Sequence, residues 1–254
     1  MRPPDPFGPV SEVFPAMARF YLPPEDWQEY PALTGDEARH LSQVLRMKPG
    51  DPVTVFDGKG CRATAEVLSV SRDRVPLKLG EMKSSAALLP SITLAQAIPK
   101  GKNMDLIVQK SVELGIAAIQ PLVTRHTVVQ PGEGKSEKWR RNALEACKQC
   151  GQDTLPDIAE PLAFDQWIVC QQEASGLKLI ASLAAGALPL RRVLKNHPGT
   201  SQATLLIGPE GDFSPEETNT AIAAAFIPVS LGDIVLRVET ATLYCLSALR
   251  YEFS

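Results

Sequence analysis

Residues 205–217 read Leu205-Leu206-Ile207-Gly208-Pro209-Glu210-Gly211-Asp212-Phe213-Ser214-Pro215-Glu216-Glu217. A short apolar run ends in a glycine-bracketed turn, and a helix start follows. Ser214 serves as the cap, Pro215 suits the first helical position, and Glu217 completes a capping box. A buried strand handing over to a helix is the building unit of an α/β fold, and the carboxyl end of a parallel strand is where such sheets bind ligands. Gly208 and Gly211 let backbone approach a ligand closely. The stretch is neither G-x-G-x-x-G nor a P-loop, and a tight strand-to-helix connection explains it as well as a cofactor loop does.

The same alternation extends in both directions. Ile92 to Ile98 reads as a buried strand, Asn103 caps a helix through Leu114, Gly115 stops it, and Ile116 to Val123 is a second strand, which together make a βαβ unit. A helix around 137–149, strands at 178–182, 203–207 and 227–231, and a last helix from Val238 continue the pattern. The loop Leu231-Gly232-Asp233-Ile234-Val235-Leu236-Arg237-Val238-Glu239-Thr240-Ala241 again joins a strand to a helix. Ile234, Val235 and Leu236 are too apolar to hang in water, so they are covered by protein or wall an apolar pocket. Arg237 stands where a cation opposes the helix macrodipole, which marks it as a functional candidate, with a structural Arg–Glu pair as the alternative. The final helix is apolar nearly all round. It needs either a second subunit or a central buried position in a monomer.

The first third reads differently. Residues 1–17 are proline-rich and aperiodic, a disordered extension. Thr34 and Glu37 form a capping box opening a short helix that ends before Pro49-Gly50, with Ala38, Leu41, Val44 and Leu45 on a packed stripe and Arg39, Gln43 and Arg46 on a basic one. Val53 to Phe56 and Cys61 to Val70 alternate around the hairpin signal Asp57-Gly58-Lys59-Gly60, and Val75 to Leu79 adds an edge strand. Residues 18–82 therefore form a small β-rich domain, 83–89 a linker, and 90–254 the α/β domain.

With 254 residues and 44% hydrophobic content the chain has ample material for a core, and a net charge of −3 with 22% charged residues excludes a polycation or an acidic disordered chain. The charge is unevenly spread: residues 100–150 hold nine basic and five acidic residues, whereas 151–254 hold six and twelve. A local electropositive face on an acidic body follows, which attracts phosphates, although a solvated helix face carries such charge equally well. No apolar run is long enough to span a bilayer and the start lacks a signal-peptide layout, so a cytoplasmic location and no membrane are expected. Five scattered cysteines describe no disulfide framework; Cys147 and Cys150 are read as ordinary helix-face thiols rather than redox or metal ligands, and no metal is expected.

Several collinear fragments resemble one family: Arg19-Phe20-Tyr21, His40-Leu41-Ser42-Gln43-Val44-Leu45-Arg46-Met47, Phe56-Asp57-Gly58, Gln109-Lys110-Ser111-Val112-Glu113-Leu114-Gly115, Glu145-Ala146-Cys147-Lys148-Gln149-Cys150-Gly151, and the two C-terminal loops. The chain resembles the SPOUT class of S-adenosylmethionine-dependent RNA methyltransferases, and within it the ribosomal RNA small-subunit methyltransferase E family, which methylates N3 of a uridine in 16S rRNA. The resemblance implies an α/β fold with a SPOUT-like C-terminal domain, a mostly parallel sheet and a trefoil knot, plus a PUA-like small β-barrel at the N-terminus. It implies S-adenosyl-L-methionine as cofactor, 16S rRNA or the small ribosomal subunit as partner, and a homodimer. Cofactor contacts carry over to Ser182, Leu183, Leu206, Ile207, Gly208, Glu210, Gly211, Leu231, Gly232, Leu236 and Arg237. The chain departs from the family pattern at Asp212 (usually Gly), Val238 (usually Thr) and Gln152 (commonly Arg).

Methylating an imide nitrogen requires alignment of donor and acceptor and loss of the N3 proton. A guanidinium near O2 or O4 stabilises the resulting anion; Arg237 is the candidate, Glu239 its orienter, and no unambiguous general base appears. N3 lies on the pairing edge, so the target is an unpaired or splayed uridine. Arg19, Arg39, Arg46, Lys100 and Lys102 are the candidate phosphate contacts. The rival reading is a non-catalytic RNA-binding or ribosome-assembly factor on the same scaffold. A small-molecule α/β hydrolase lacks its G-x-S-x-G elbow.

Overall fold

The computed structural model describes residues 17–253 apart from 29, 130, 131, 133 and 185. The extension expected over residues 1–17 therefore lies, Met17 aside, outside the described residues. Two compact units meet between Ser85 and Ala86.

The first unit contains β1 (Arg19–Tyr21), β2 (Ala32–Thr34), α1 (Gly35–Arg39), a π turn (His40–Val44), β3 (Pro52–Phe56), β4 (Cys61–Val67) and β5 (Arg74–Ser84). They build one five-stranded sheet in the order β1-β3-β4-β5-β2. The β3–β4 hairpin closes as its loop residues suggest, because the Asp57 carboxylate accepts from the backbone N–H of Lys59 at 2.7 Å and of Cys61 at 2.9 Å. Phe20, Leu33, Leu41, Val53, Val55 and Leu77 fill the core between sheet and helix.

Three expectations for this unit change. β5 is an inner strand of eleven residues rather than a short edge, and it takes Lys83 and Ser84 out of the expected linker. Pro76 fits because its missing N–H falls opposite Leu68, just past the end of β4, on the side where its carbonyl accepts from Leu68. Thr34 does precede the helix, but without a side-chain cap; Glu37 reaches across to the Tyr21 N–H at 3.3 Å instead. The packed stripe also breaks. Ala38 and Leu41 are fully buried, while Val44 is 69% and Leu45 43% exposed. After Arg39 the helix widens, with Leu45 N–H donating to His40 rather than to Leu41, so each later residue is rotated out of the 3.6-residue register. Arg46 closes the turn in the left-handed region at φ 53°.

The second unit runs β6 (Ser91–Ala97), α2 (Asn103–Glu113), β7 (Ala118–Val123), α3 (Lys135–Cys150), β8 (Asp157–Ile158), β9 (Leu162–Ala163), α4 (Phe164–Cys170), β10 (Leu177–Ala181), β11 (Leu188–Pro189), α5 (Leu190–Lys195), β12 (Gln202–Ile207), α6 (Pro215–Ala223), β13 (Ile227–Ser230) and α7 (Val238–Phe253). Its sheet has the order β11-β13-β10-β12-β6-β7-β8, with β9 on β7, and its ladders are parallel. The α/β architecture with a mostly parallel sheet is thus as expected. The short α4 and α5 carry too few turns for periodicity to reveal them. Because β13, β10, β12 and β6 are neighbours, the loops after their carboxyl ends emerge side by side. That is the arrangement in which open parallel sheets form a crevice. Phe164, Trp167, Ile180, Leu206, Phe213 and Phe226 pack under it. Among the described residues no helix is long and apolar enough to cross a membrane.

Candidate active site

A cavity of about 460 Å³ opens at this crevice, walled by Ala181, Ser182 and Leu183 at the end of β10, by Ile207 to Glu210 and Asp212 at the end of β12, and by Leu231, Gly232, Ile234 to Glu239 and Ala241 before and within α7. Its volume lies in the range of small-molecule sites.

The 208–213 turn is built tightly. Asp212 N–H donates to Pro209 O at 2.9 Å and Phe213 N–H to Asp212 Oδ1 at 2.8 Å, and Phe213 packs 5.8 Å from the Phe164 ring in the core. Asp212 sits in the left-handed region at φ 57°, the conformation for which glycine is the unstrained choice. His126, from the loop after β7, places Nδ1 3.0 Å from Gly211 O and 2.9 Å from Asp212 O. Two carbonyl acceptors put the proton on Nδ1, so the ring braces the turn from outside the cavity. Ser214 and Glu217 form the expected box, at 2.9 and 3.2 Å, and the second oxygen of the buried Glu217 accepts from Arg125 N–H at 2.9 Å.

The glycines serve the turn more than a ligand. A Cβ on Gly208 would stand 3.1 Å from Asp212 Oδ1 and 3.2 Å from the Phe213 ring; one on Gly211 would stand 3.2 Å from His126 Cβ. Gly211 accordingly faces His126, and Leu206 is fully buried in the core; neither lines the cavity. The other expected cofactor contacts, Ser182, Leu183, Ile207, Gly208, Glu210, Leu231, Gly232, Leu236 and Arg237, do line it. Glu210 also ties the turn to the β6–α2 loop by accepting from Lys100 N–H at 2.9 Å.

Ile234 and Val235 wall the cavity yet remain 76% and 72% exposed, so of the two expectations for them the pocket wall applies. Arg237 directly precedes α7, where its carbonyl accepts the Ala241 N–H at 2.8 Å. Its side chain is exposed and makes no hydrogen bond or ion pair with the described residues. The Arg237–Glu239 pair is therefore not formed, and Glu239 instead accepts from Asn103 Nδ2 at 3.4 Å. Asn103, Pro209, Asp212, Val238 and Ala241 also line the cavity, although sequence reasoning assigned them no role there. Asn103 was expected as a helix cap, but it is already the first residue of α2, and the cap position falls to Lys102.

The candidate phosphate contacts divide. Lys100 and Lys102 are exposed in the loop that leads to Asn103, beside the cavity. In the first unit Arg46 is exposed, Arg39 is ion-paired to Asp73 at 3.3 Å and to Asp36 at 3.7 Å, and Arg19 lies half-buried with its guanidinium 4.9 Å from the centre of the Phe56 ring. Gln152, at a position of departure, donates to Val112 O at 2.8 Å and so ties the segment just after α3 to α2. No cluster able to hold a metal occurs among the described residues.

Residues 87–250 match the RNA methyltransferase domain family and residues 33–79 the RNA methyltransferase PUA domain family. A relative from Synechocystis sp., named ribosomal RNA small subunit methyltransferase E, is 34% identical over 91% of this chain and 76% of its own length. Among solved structures, the ribosomal RNA small subunit methyltransferase E of Neisseria gonorrhoeae, bound to S-adenosylmethionine, is 30% identical with a TM-score of 0.82, covering 93% of this chain and 98% of that one. A Legionella pneumophila structure in complex with the same cofactor is 35% identical, also with a TM-score of 0.82, over 92% of this chain and 97% of that one.

Proposed function

This chain belongs to the ribosomal RNA small subunit methyltransferase E family, and on that premise we propose that its three-loop cavity holds S-adenosylmethionine for transfer of a methyl group to N3 of a uridine in 16S rRNA. As a member of this family it is an S-adenosylmethionine-dependent rRNA methyltransferase, and the uridine and its N3 are the finer part of the proposal. The observation that carries the reading is the cavity at the carboxyl ends of adjacent parallel strands with the Arg237 guanidinium, which makes no hydrogen bond or ion pair among the described residues, in its wall.

The lining suits the cofactor. Leu183, Ile207 and Leu236 offer apolar surface to a flat base, and the turns expose backbone groups to its polar tail. When bound, the cofactor supplies an activated methyl group. The chain's own part is to orient and to stabilise charge: Arg237 faces the anion that develops at O2 or O4 as the N3 proton leaves. Lys100 and Lys102 hold the phosphates of the strand beside the cavity, and Arg46 holds phosphates from the first unit. The cytoplasm, where ribosomes are made, and the trefoil knot of the SPOUT class belong to the same reading.

A second copy completes it. Thr240, Tyr244, Ser247 and Tyr251 recur along the outer face of α7, with Tyr244 51% and Tyr251 88% exposed, while Ala241, Cys245 and Leu249 face the core. The expectation that α7 is apolar all round therefore narrows to one buried face and one exposed aromatic stripe, which we assign to a homodimer contact.

The test is mass spectrometry of rRNA nucleosides from cells with and without the gene. Loss of 3-methyluridine in the deletion is expected, and its retention overturns the uridine-N3 assignment. Calorimetry with S-adenosylmethionine separates the enzyme from a non-catalytic assembly factor, which would bind RNA but not the donor.

A further inference from the structure

Arg237 and Glu239 stand two residues apart at the start of α7 with opposite charges, so along the chain each is the other's obvious partner. Both line the cavity, and so does Asn103. Glu239 nevertheless bonds to Asn103, a residue 136 positions away on the first turn of α2, which packs against α7. Asn103 caps no helix, so its side chain is spent on this contact. A neutral amide is well suited to the task, because it donates to the carboxylate without bringing a second charge into the cavity wall. Glu239 itself is favoured where it lies, an anion in the first turn of a helix, whereas Arg237 opposes the same macrodipole.

We propose that Asn103 is a positioning residue that holds Glu239 away from Arg237 and so keeps the guanidinium available to the base being methylated. The inference rests on the role given to Arg237 above. Without the amide, the carboxylate is free to turn toward Arg237, two residues away in the chain. An exposed ion pair at the strong end of the usual range would then occupy the guanidinium roughly five times as often as not, leaving it free about one-sixth of the time. The chain thus prevents an internal pair that its own sequence invites.

The experiment uses the full chain with small ribosomal subunits and S-adenosylmethionine, both saturating. Asn103→Leu is expected to lower kcat by up to roughly sixfold while calorimetric donor affinity stays within about twofold. Asn103→Asp, which sets a like charge against Glu239, should lower kcat in the same way. Asn103→Leu combined with Glu239→Gln should regain most of the loss, because no carboxylate remains to capture Arg237; a merely structural role for Asn103 predicts no such recovery. Unchanged kcat in Asn103→Leu, a double variant no better than the single one, or donor affinity falling in step with kcat would each overturn the proposal. Arg237→Ala run alongside separates the two levels: wild-type kcat there overturns the role of Arg237 and this inference with it, whereas a large loss there with no effect of Asn103→Leu overturns the inference alone.

Discussion

Replacing Gly208 by alanine distinguishes two reasons for a glycine in the cavity turn. If the residue is glycine so that a ligand can approach, the methyl group blocks donor binding and leaves stability untouched. The geometry predicts the opposite emphasis: the added Cβ meets Asp212 Oδ1 at 3.1 Å and two Phe213 ring carbons at 3.2 Å, closer than ordinary contacts. Phe213 is 7% exposed and packed against Phe164, so it cannot yield freely. Overpacking of this kind costs about 1–3 kcal/mol, which for a unit of this size lowers the melting temperature by roughly 2–4 °C per kcal/mol. Shrinking the neighbour should relieve it. Gly208→Ala with Phe213→Leu is expected to be less destabilised than the sum of the two single variants by about 1 kcal/mol. Differential scanning calorimetry of the four proteins, with and without S-adenosylmethionine, measures both quantities. A Gly208→Ala protein that melts like wild type but has lost donor binding would refute the packing argument and restore the ligand-approach explanation.

Arg237→Ala should lower kcat about 10²–10³-fold with donor affinity nearly unchanged, as expected for a group that acts on transition-state charge; steady-state kinetics with calorimetry decides it. Tyr244→Glu with Tyr251→Glu should shift sedimentation from dimer to monomer, and an unaltered dimer would remove the α7 stripe from the interface. Burial pushes the Cys245 thiol up to about 12, so native alkylation at pH 8 should label the exposed Cys150 and Cys170 and spare Cys245. The Ser136 hydroxyl, 2.6 Å from the Glu160 carboxylate, and then Arg140 hold that carboxyl below its ordinary range. Its contribution to stability is therefore present above the ordinary carboxylate range and lost as pH falls through the lowered folded value. Ser136→Ala should move the Glu160 titration toward the ordinary value by NMR and weaken that part of the acid limb.

The α/β alternation was readable because a strand ending at Ile207, a glycine turn and the Ser214–Glu217 box are local signals that tertiary structure had no reason to override. Val44 and Leu45 show where such reading ends. Their spacing fits a buried helical face, but the stripe assumes 3.6 residues per turn, and the π turn after Arg39 removes that assumption without a mark in the residue pattern. Leu206 and Ile207 were both legible as the end of a strand, and which of the two meets the cavity depends on what lies against each face of the sheet.

Length, patterning, the Ser214 start of α6 and the order of the two C-terminal loops were determined by the sequence alone, since each depends on residues within about one turn or strand of one another. Only the tertiary structure decided that Asn103 meets Glu239, that His126 braces the Gly211–Asp212 turn and that Arg237 has no hydrogen bond or ion pair among the described residues. These contacts join residues 85 to 136 positions apart. Local preference cannot encode them, because they arise only when parallel strands distant in the chain become neighbours and bring their loops to one edge of the sheet.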